Sequence, residues 1–444
     1  MPNRPNIVLI MSDQQRPDSL ACYGNCFVDT PNVDALSSAG VTFLDAFTPF
    51  PLCTPARAAM WTGMMPSFHG ILDCVYGIDD AFLLSPRPRT VFDAMSAAGY
   101  EVAYFGKWHL GGARPEAMDH WHAFNSGGGH WIDGFQATQD GEYMPYHQTE
   151  RMLAFLRSRP ANSKPLFAVQ SYYPPHEPYT APTAWLEQYR NKGIFRPGYY
   201  AGVSAVDECV GKITRALADS ELADDTMVIY TSDHGEHFNY RAKNNKSTGH
   251  DDSIRIPLII SGPKASAVGK RVSGAAGLED LTPTILELAG IPCDPDLHGR
   301  SLVPSLKAGA STGAKRYLVQ NVEDFRPYSR WDELMAGVYL PDSRSHRSPD
   351  GEWDRQRALW TLEHKLILSE SGNHALFDLI LDPEEELNLF GAPRPDNYNQ
   401  YQHYPSQHAL TVTLINALLE ECERVEDAWG AELGRSVLDS LSGA

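Results

Sequence analysis

The chain is short of cysteine, short of basic residues relative to acidic ones, and without any long hydrophobic run. Its seven cysteines in 444 residues are few and odd in number, which argues against a disulfide framework. Lys and Arg total 37 against 56 Asp and Glu, a formal charge of −19. Nucleic acid and anionic membrane surfaces both reward clustered cations, so neither is expected as a partner. A small anionic substrate stays open, because a pocket can be positive inside an acidic chain. No stretch approaches the roughly 18 apolar residues of a membrane helix. The early run Ile7-Val-Leu-Ile-Met11 is shorter than the roughly 7–15-residue core of a signal peptide, so the expected address is cytoplasmic. Internal repeats and low-complexity tracts are missing too. Oligomeric state is not legible.

What is present reads as globular: 42% apolar and 21% charged residues. The length exceeds what one hydrophobic core usually supports, so a large domain and a smaller one are expected. Ile7-Val-Leu-Ile-Met11 is a β-branched apolar run suited to a strand buried on both faces, and Ser12-Asp13-Gln14-Gln15 follows it. The same form recurs. Val102-Ala-Tyr-Phe105 ends in Gly106-Lys-Trp-His109, Leu166-Phe-Ala-Val-Gln170 leads to Tyr173-Pro-Pro-His176, and Met227-Val-Ile-Tyr230 ends in Thr231-Ser-Asp-His234. Helical patterns lie between these runs, one opened by the capping-box spacing Thr90-Val-Phe-Asp93. This alternation predicts an α/β domain with a mainly parallel sheet, whose site lies beyond the carboxyl ends of its strands. The segment 306–314 is rich in Gly, Ala and Ser and marks the expected boundary, with a catalytic domain over 1–312 and a smaller one over 313–444. In the second part, 359–368 and 375–379 predict a small sheet, and 408–429 one final helix.

Pro51-Leu-Cys-Thr-Pro-Ala-Arg57 carries the core Cys-x-Pro-x-Arg, the pattern that formylglycine-generating enzymes oxidise to an aldehyde. With it come Gly106-Lys-Trp-His-Leu-Gly111, His176-Glu-Pro-Tyr179, Asp233-His-Gly-Glu236, Asp280-Leu-Thr-Pro-Thr284, Gly299-Arg-Ser-Leu302, and the late Phe377-Asp-Leu with Asp382-Pro-Glu384. In this ordered series the chain resembles the type I sulfatases of the alkaline phosphatase superfamily over nearly its whole length. The resemblance implies an alkaline phosphatase-like fold, with helices flanking the central sheet and a smaller C-terminal α+β domain on an antiparallel sheet.

Asp13, Gln14, Asp233 and His234 offer three oxygen-type ligands and one imidazole, a set suited to a hard divalent ion such as Ca²⁺ or Mg²⁺. In the sulfatase pattern the hydrated formylglycine made from Cys53 completes that shell. The resemblance further implies that Arg57 orients the formylglycine, while Lys107 and Lys246 clamp the sulfate oxygens. It makes His176 the acid for the leaving alcohol and His109 the base that releases sulfate. Lys246 is placed by its spacing from Pro257, with Lys243 as the alternative. The family often has a second carboxylate where this chain has Gln14.

The expected activity is hydrolysis of a sulfate monoester, most readily of a sulfated mono- or disaccharide, with a formylglycine-generating enzyme as maturation partner. Trp108, Trp121, Trp131, His130, Arg326 and Tyr328 are candidate sugar contacts. A phosphonate monoester or phosphodiester hydrolase shares the pattern, except at Lys107 and His109. A pseudoenzyme that only binds a sulfated ligand is the third reading. The cysteines other than Cys53 are expected to be plain thiols, and the acidic run 382–386 a solvated turn.

Overall fold

Fourteen strands form among the described residues of this computed structural model, which are 4–74, 89–126, 129–132, 141–160, 163–240, 245–311, 313–321, 354–390 and 407–442. In chain order they are β1 (Asn6–Asp13), β2 (Gly40–Phe43), β3 (Ala46–Phe47), β4 (Glu101–Lys107), β5 (His120–Phe124), β6 (Leu166–Pro175) and β7 (Thr226–Ser232). Then follow β8 (Leu258–Ser261), β9 (Lys270–Val272), β10 (Ala276–Gly277), β11 (Arg316–Asn321), β12 (Gln356–Thr361), β13 (His364–Ser369) and β14 (Ala375–Asp378). Lys243, Arg326 and Tyr328 lie outside the described residues.

The large sheet has the order β5-β4-β6-β1-β7-β8-β2-β9. From β5 to β7 every pair is parallel, whereas β8 runs antiparallel to both β7 and β2. The central strand β1 shows why the sheet is buried on both sides. Ile7, Leu9 and Met11 point into one core with Trp61 and Tyr104, and Val8 and Ile10 into the other with Tyr172 and Ile213. Each such side chain contributes roughly 1.5–3 kcal/mol on burial. Two faces in use explain the continuous apolar run, where a half-solvated strand would alternate. The fold class expected from the sequence is the one observed, alkaline phosphatase-like and mainly parallel.

The predicted capping box is present, with the Thr90 hydroxyl accepting from the Asp93 N–H and the Asp93 carboxylate accepting from the Thr90 N–H, at 3.3 and 2.9 Å. A long helix, Pro197–Ala218, packs on the β6 side of the sheet with Val206, Val210 and Ile213 buried.

The second sheet is antiparallel, in the order β11-β12-β13-β14. One face, with Leu359, Leu366 and Leu368, packs on Leu414, Ile415 and Leu418 of the helix Gln407–Arg424. Its other face, with Tyr317, Trp360, Ile367 and Phe377, packs on Phe47 and Ile254 of the larger unit. The single final helix expected over 408–429 is two helices, Gln407–Arg424 and Ala428–Ser442. Glu426 takes a left-handed conformation (φ 55°), and the Asp427 carboxylate caps the new helix by accepting from the Gly430 N–H at 3.1 Å. Among the described residues no helix is long and apolar enough to cross a membrane.

Candidate active site

Four neighbouring parallel strands deliver the polar tetrapeptides to one edge of the sheet. Asp13 ends β1 and Gln14 follows it; Lys107 ends β4; His176 follows β6; Asp233 and His234 follow β7. Because these strands are adjacent, residues some 200 positions apart in sequence meet at a single place. Gly106 makes the approach of β4 possible. Its φ is +99°, and a Cβ there would lie 1.9 Å from the Ser171 carbonyl oxygen, so any other residue would displace Lys107.

Opposite the strand ends, the helix Cys53–Thr62 begins with Cys53 as its first residue. Arg57 follows one turn later on the same face. Its guanidinium is fully buried and forks across two carboxylates, Nη2 to Asp13 and Nε to Asp233, each at 2.9 Å. Its Nη1 donates to the Lys107 carbonyl at 2.7 Å and to Ser171 Oγ at 3.0 Å. Arg57 therefore braces the acidic pair directly, a contact that the reading of Arg57 as orienting position 53 did not include.

The Cys53 sulfur lies 3.2 Å from His234 Nε2, 3.6 Å from Asp13 Oδ1, and 3.5 Å from both Lys107 Nζ and Lys246 Nζ. Asp13, Cys53, Asp233 and His234 converge, with candidate ligand atoms within 4.8 Å of one another. Lys107 also pairs with Asp13 at 2.7 Å and sits over the Tyr173 ring. Lys246 reaches Gln14 Oε1 at 2.6 Å and His176 Nε2 at 2.8 Å.

Charge sets the protonation of this cluster. Burial alone would raise the Cys53 thiol, but a hydrogen bond with Cys74 and the charges of Lys107, Lys246 and His234 hold it well below its ordinary range. Burial would likewise raise the Asp13 carboxyl, yet Lys107, His176 and Arg57 bring it below the usual carboxylate range. Burial, followed by the neighbouring Lys107, pushes the His109 imidazole down to about 4, and that ring hydrogen-bonds Cys53. His109 is thus neutral near pH 7.

All the predicted residues, Asp13, Gln14, Cys53, Arg57, Lys107, His109, His176, Asp233, His234 and Lys246, are buried in this one region. Others join them that the sequence reading left without a role. Gln14 Nε2 donates to Glu177 Oε2 at 2.9 Å and to Glu236, and Asn245 Nδ2 binds both carboxylates and the Tyr179 hydroxyl. The amide nitrogen of Gln14 is occupied this way, so its carbonyl oxygen is the atom turned toward Lys246. Glu177 and Glu236 stood inside the sequence motifs named above and were the available signal. Cys74, expected to be a plain thiol, is a hydrogen-bonded neighbour of Cys53.

The aromatic sugar contacts need correcting. Trp108 and Trp131 are 0% and 2% exposed, and the Trp131 indole N–H is bonded to Thr180 Oγ1 at 3.0 Å. His130 is buried against Thr180 and Tyr173. Trp108 packs in the core against Phe92 and Tyr104, His130 and Trp131 pack the chain around Thr180, and none of the three presents a face to a sugar.

Similarity to known proteins agrees with this geometry. A curated ulvan-active sulfatase of Formosa agariphila is 29% identical over 88% of this chain and 78% of its own length. An N-acetylglucosamine-6-O-sulfatase of Bacteroides thetaiotaomicron is 23% identical over 87% and 83%. A structure solved with its substrate D-glucosamine-2-N,6-O-disulfate superposes with a TM-score of 0.74 at 22% identity, covering 97% of this chain and all of the other. The fold alone does not fix the ester, since a phosphonate monoester hydrolase of Agrobacterium radiobacter superposes nearly as well, with a TM-score of 0.73 at 21% identity over 95% and 96%. The sequence favours sulfate, because the family model described as sulfatase matches residues 5–291, and the chain accordingly belongs to the sulfatase family of sulfuric ester hydrolases.

Proposed function

We propose that the protein hydrolyses the sulfate monoester of a small carbohydrate, with Asp13, Gln14, Asp233 and His234 holding Ca²⁺ or Mg²⁺. The donor set fits a hard ion: two carboxylates, an amide oxygen fixed by its bonded nitrogen, and one imidazole. The observation that carries the reading is the pair of buried ammonium groups, Lys107 and Lys246, each 3.5 Å from the Cys53 sulfur. When present, the ion and the formylglycine made from Cys53 supply Lewis-acid charge and a nucleophilic hydroxyl.

The chain's own residues do the rest. Lys107 Nζ and Lys246 Nζ, both buried, bind the sulfate oxygens where negative charge gathers in the transition state. Arg57 holds Asp13 and Asp233 side by side, offsetting part of the burial and mutual repulsion that raise the Asp233 carboxyl. His176 donates from Nδ1 to the Glu177 carbonyl at 2.9 Å, which leaves Nε2 facing the pocket 2.8 Å from Lys246 Nζ, as the atom through which a proton passes from that ammonium to the leaving alcohol. His109, kept neutral by burial, takes the proton given up when sulfate is released.

Residues 1–312 and 313–444 are read as the catalytic and the smaller domain. A cytoplasmic setting and a formylglycine-generating maturation enzyme belong to the same proposal, and they restrict the substrate to something small enough to be imported. The relatives named for sulfated sugars support the carbohydrate class. Matured enzyme assayed side by side on an aryl sulfate, a phenylphosphonate monoester and a phosphodiester tests the ester class. Lys107→Ala and His109→Ala should lower sulfate ester turnover by orders of magnitude and phosphodiester turnover by less. Equal losses, or a wild-type preference for phosphodiesters, would overturn the choice of sulfate.

A further inference from the structure

Lys246 lies in a segment with no regular structure, between the described residues Asn245 and His250. Such a segment does not fix an ammonium group by itself. On one side it is tied to the nucleophile loop, where the Ser247 N–H donates to the Pro51 carbonyl at 3.1 Å. Its other side rests on the small C-terminal sheet. A Cβ added at Gly249 would lie 3.0 Å from Ala358 Cβ and 3.2 Å from Ile367 Cδ1, so the chain lies flat against β12 and β13. The His250 ring lies tilted against Phe377 of β14, with 5.5 Å between centroids.

Electrostatics complete the backing. Lys365 on β13 is 0% exposed, and its ammonium pairs with both Asp251 and Glu385. Glu385 is 2% exposed, and its Oε2 accepts the Asp251 N–H at 2.8 Å. The acidic run 382–386 is therefore not wholly the solvated turn expected from the sequence; Glu385 turns inward. From the other direction, the Gly235 and Glu236 N–H groups donate to the carbonyls of Ser253 and Asp252, at 2.8 and 2.7 Å. The short helix Asp251–Ile254 is thus held between the loop that carries His234 and the C-terminal sheet.

We infer that Lys365 and Glu385 are positioning residues for the active site, fixing Asp251 so that the adjoining segment aims Lys246 at the sulfate. The inference rests on Lys246 as a sulfate clamp. It gives Glu385, the residue after the late motif Asp382-Pro-Glu384, and Lys365 on β13 a task in the reaction: the C-terminal sheet is the wall against which the clamp is set. Removing the Lys365 charge deletes the ion pairs to the buried Glu385 and the part-buried Asp251, and leaves Asp251 with Arg255 Nη1 at 3.5 Å. The start of the helix then moves away. Arginine keeps the charge at that position with a different shape.

The test is a double-mutant cycle on the matured, metal-loaded enzyme, read as the Kd for inorganic sulfate and as kcat and KM on an aryl sulfate. Lys365→Met is expected to weaken sulfate binding about tenfold in the wild-type background, and to change it less than about twofold when Lys246 is already Ala. Lys365→Arg should recover part of the loss. Glu385→Gln is run through the same cycle, so the question stays answerable if Lys365→Met fails to fold. Equal losses with and without Lys246 would make the ion cluster merely structural and overturn the inference. If Lys246→Ala alone leaves sulfate affinity and turnover unchanged, the clamp reading itself is wrong, a result distinct from additivity.

Discussion

Arg57 offers the sharpest energetic test, because it serves the two carboxylates that the metal would also serve. Consider Arg57→Leu in a Cys53→Ala background, which removes maturation from the comparison. The substitution deletes the 2.9 Å contacts to Asp13 and Asp233. Asp13 keeps Lys107 at 2.7 Å, and the Lys107 carbonyl keeps the Tyr104 hydroxyl at 2.7 Å. Asp233 loses its close cation, with His234 Nε2 left at 3.8 Å. One uncompensated buried charge corresponds to about 3–5 kcal/mol. Urea denaturation in EDTA should show a deficit of that size. In excess Ca²⁺ the deficit should shrink, because the ion neutralises the stranded carboxylate and binds the folded variant more tightly. A deficit under about 1 kcal/mol, or one that Ca²⁺ leaves unchanged, would refute the account of Arg57 as a brace for the acidic pair.

Exhaustive chelation of the matured enzyme should abolish turnover, with recovery on Ca²⁺ or Mg²⁺; stoichiometric zinc by elemental analysis at full activity would contradict the hard-ion site. Glu279 is buried and accepts from the Tyr317 hydroxyl at 2.8 Å; burial, then Asp280, push its carboxyl up to about 8. The folded chain therefore keeps a proton between about pH 4.5 and 8 that the unfolded chain gives up. Stability should fall as pH rises through that window, by on the order of 1.4 kcal/mol for each pH unit crossed, and Glu279→Gln should flatten the slope. An identical slope in the variant would place the titration elsewhere. For Cys53→Ser, the one hydroxyl near Lys107 and Lys246 can accept the sulfuryl group, but there is no second hydroxyl on that carbon to release it. Alcohol should appear at no more than one equivalent, with a sulfated peptide spanning position 53 seen by mass spectrometry. Sustained turnover near the matured rate would sink the formylglycine mechanism.

The sequence made the large sheet and most of the pocket legible for one physical reason. A strand buried on both faces is apolar throughout, so Asp13, Lys107, His176 and Asp233 stand out where such runs stop. The less legible features depend on burial partners far away in the chain. Glu385 looks like one more surface acid until β13 brings Lys365 beneath it. Trp131 looks like a sugar platform until Thr180 takes its N–H. Cys74 is unremarkable without the loop that returns it to Cys53. The break in the last helix was nearer to being readable, since Asp427 precedes Ala428-Trp-Gly430 as an N-cap would. Helical periodicity on both sides concealed it.

The charge balance of the pocket shows how an acidic chain can hold an anion. Arg57, Lys107 and Lys246 face Asp13, Asp233, Glu177 and Glu236, three cations against four carboxylates when all are ionised. On that count the side chains alone are net negative, and a sulfate ester would meet repulsion. A divalent ion among Asp13, Gln14, Asp233 and His234 reverses the sign and leaves one net positive charge, which a monoanionic ester neutralises. The neutral amide at Gln14 matters here, because a carboxylate in its place would cancel that remaining charge. Its nitrogen is held by Glu177 and Glu236, and its oxygen, turned the other way, accepts from Lys246 at 2.6 Å. The metal would then be needed to admit the substrate as well as to activate the nucleophile, and charge alone would not separate a sulfate monoester from a phosphodiester, since both carry a single negative charge. That separation falls to geometry, to where Lys107, Lys246 and His109 stand around position 53.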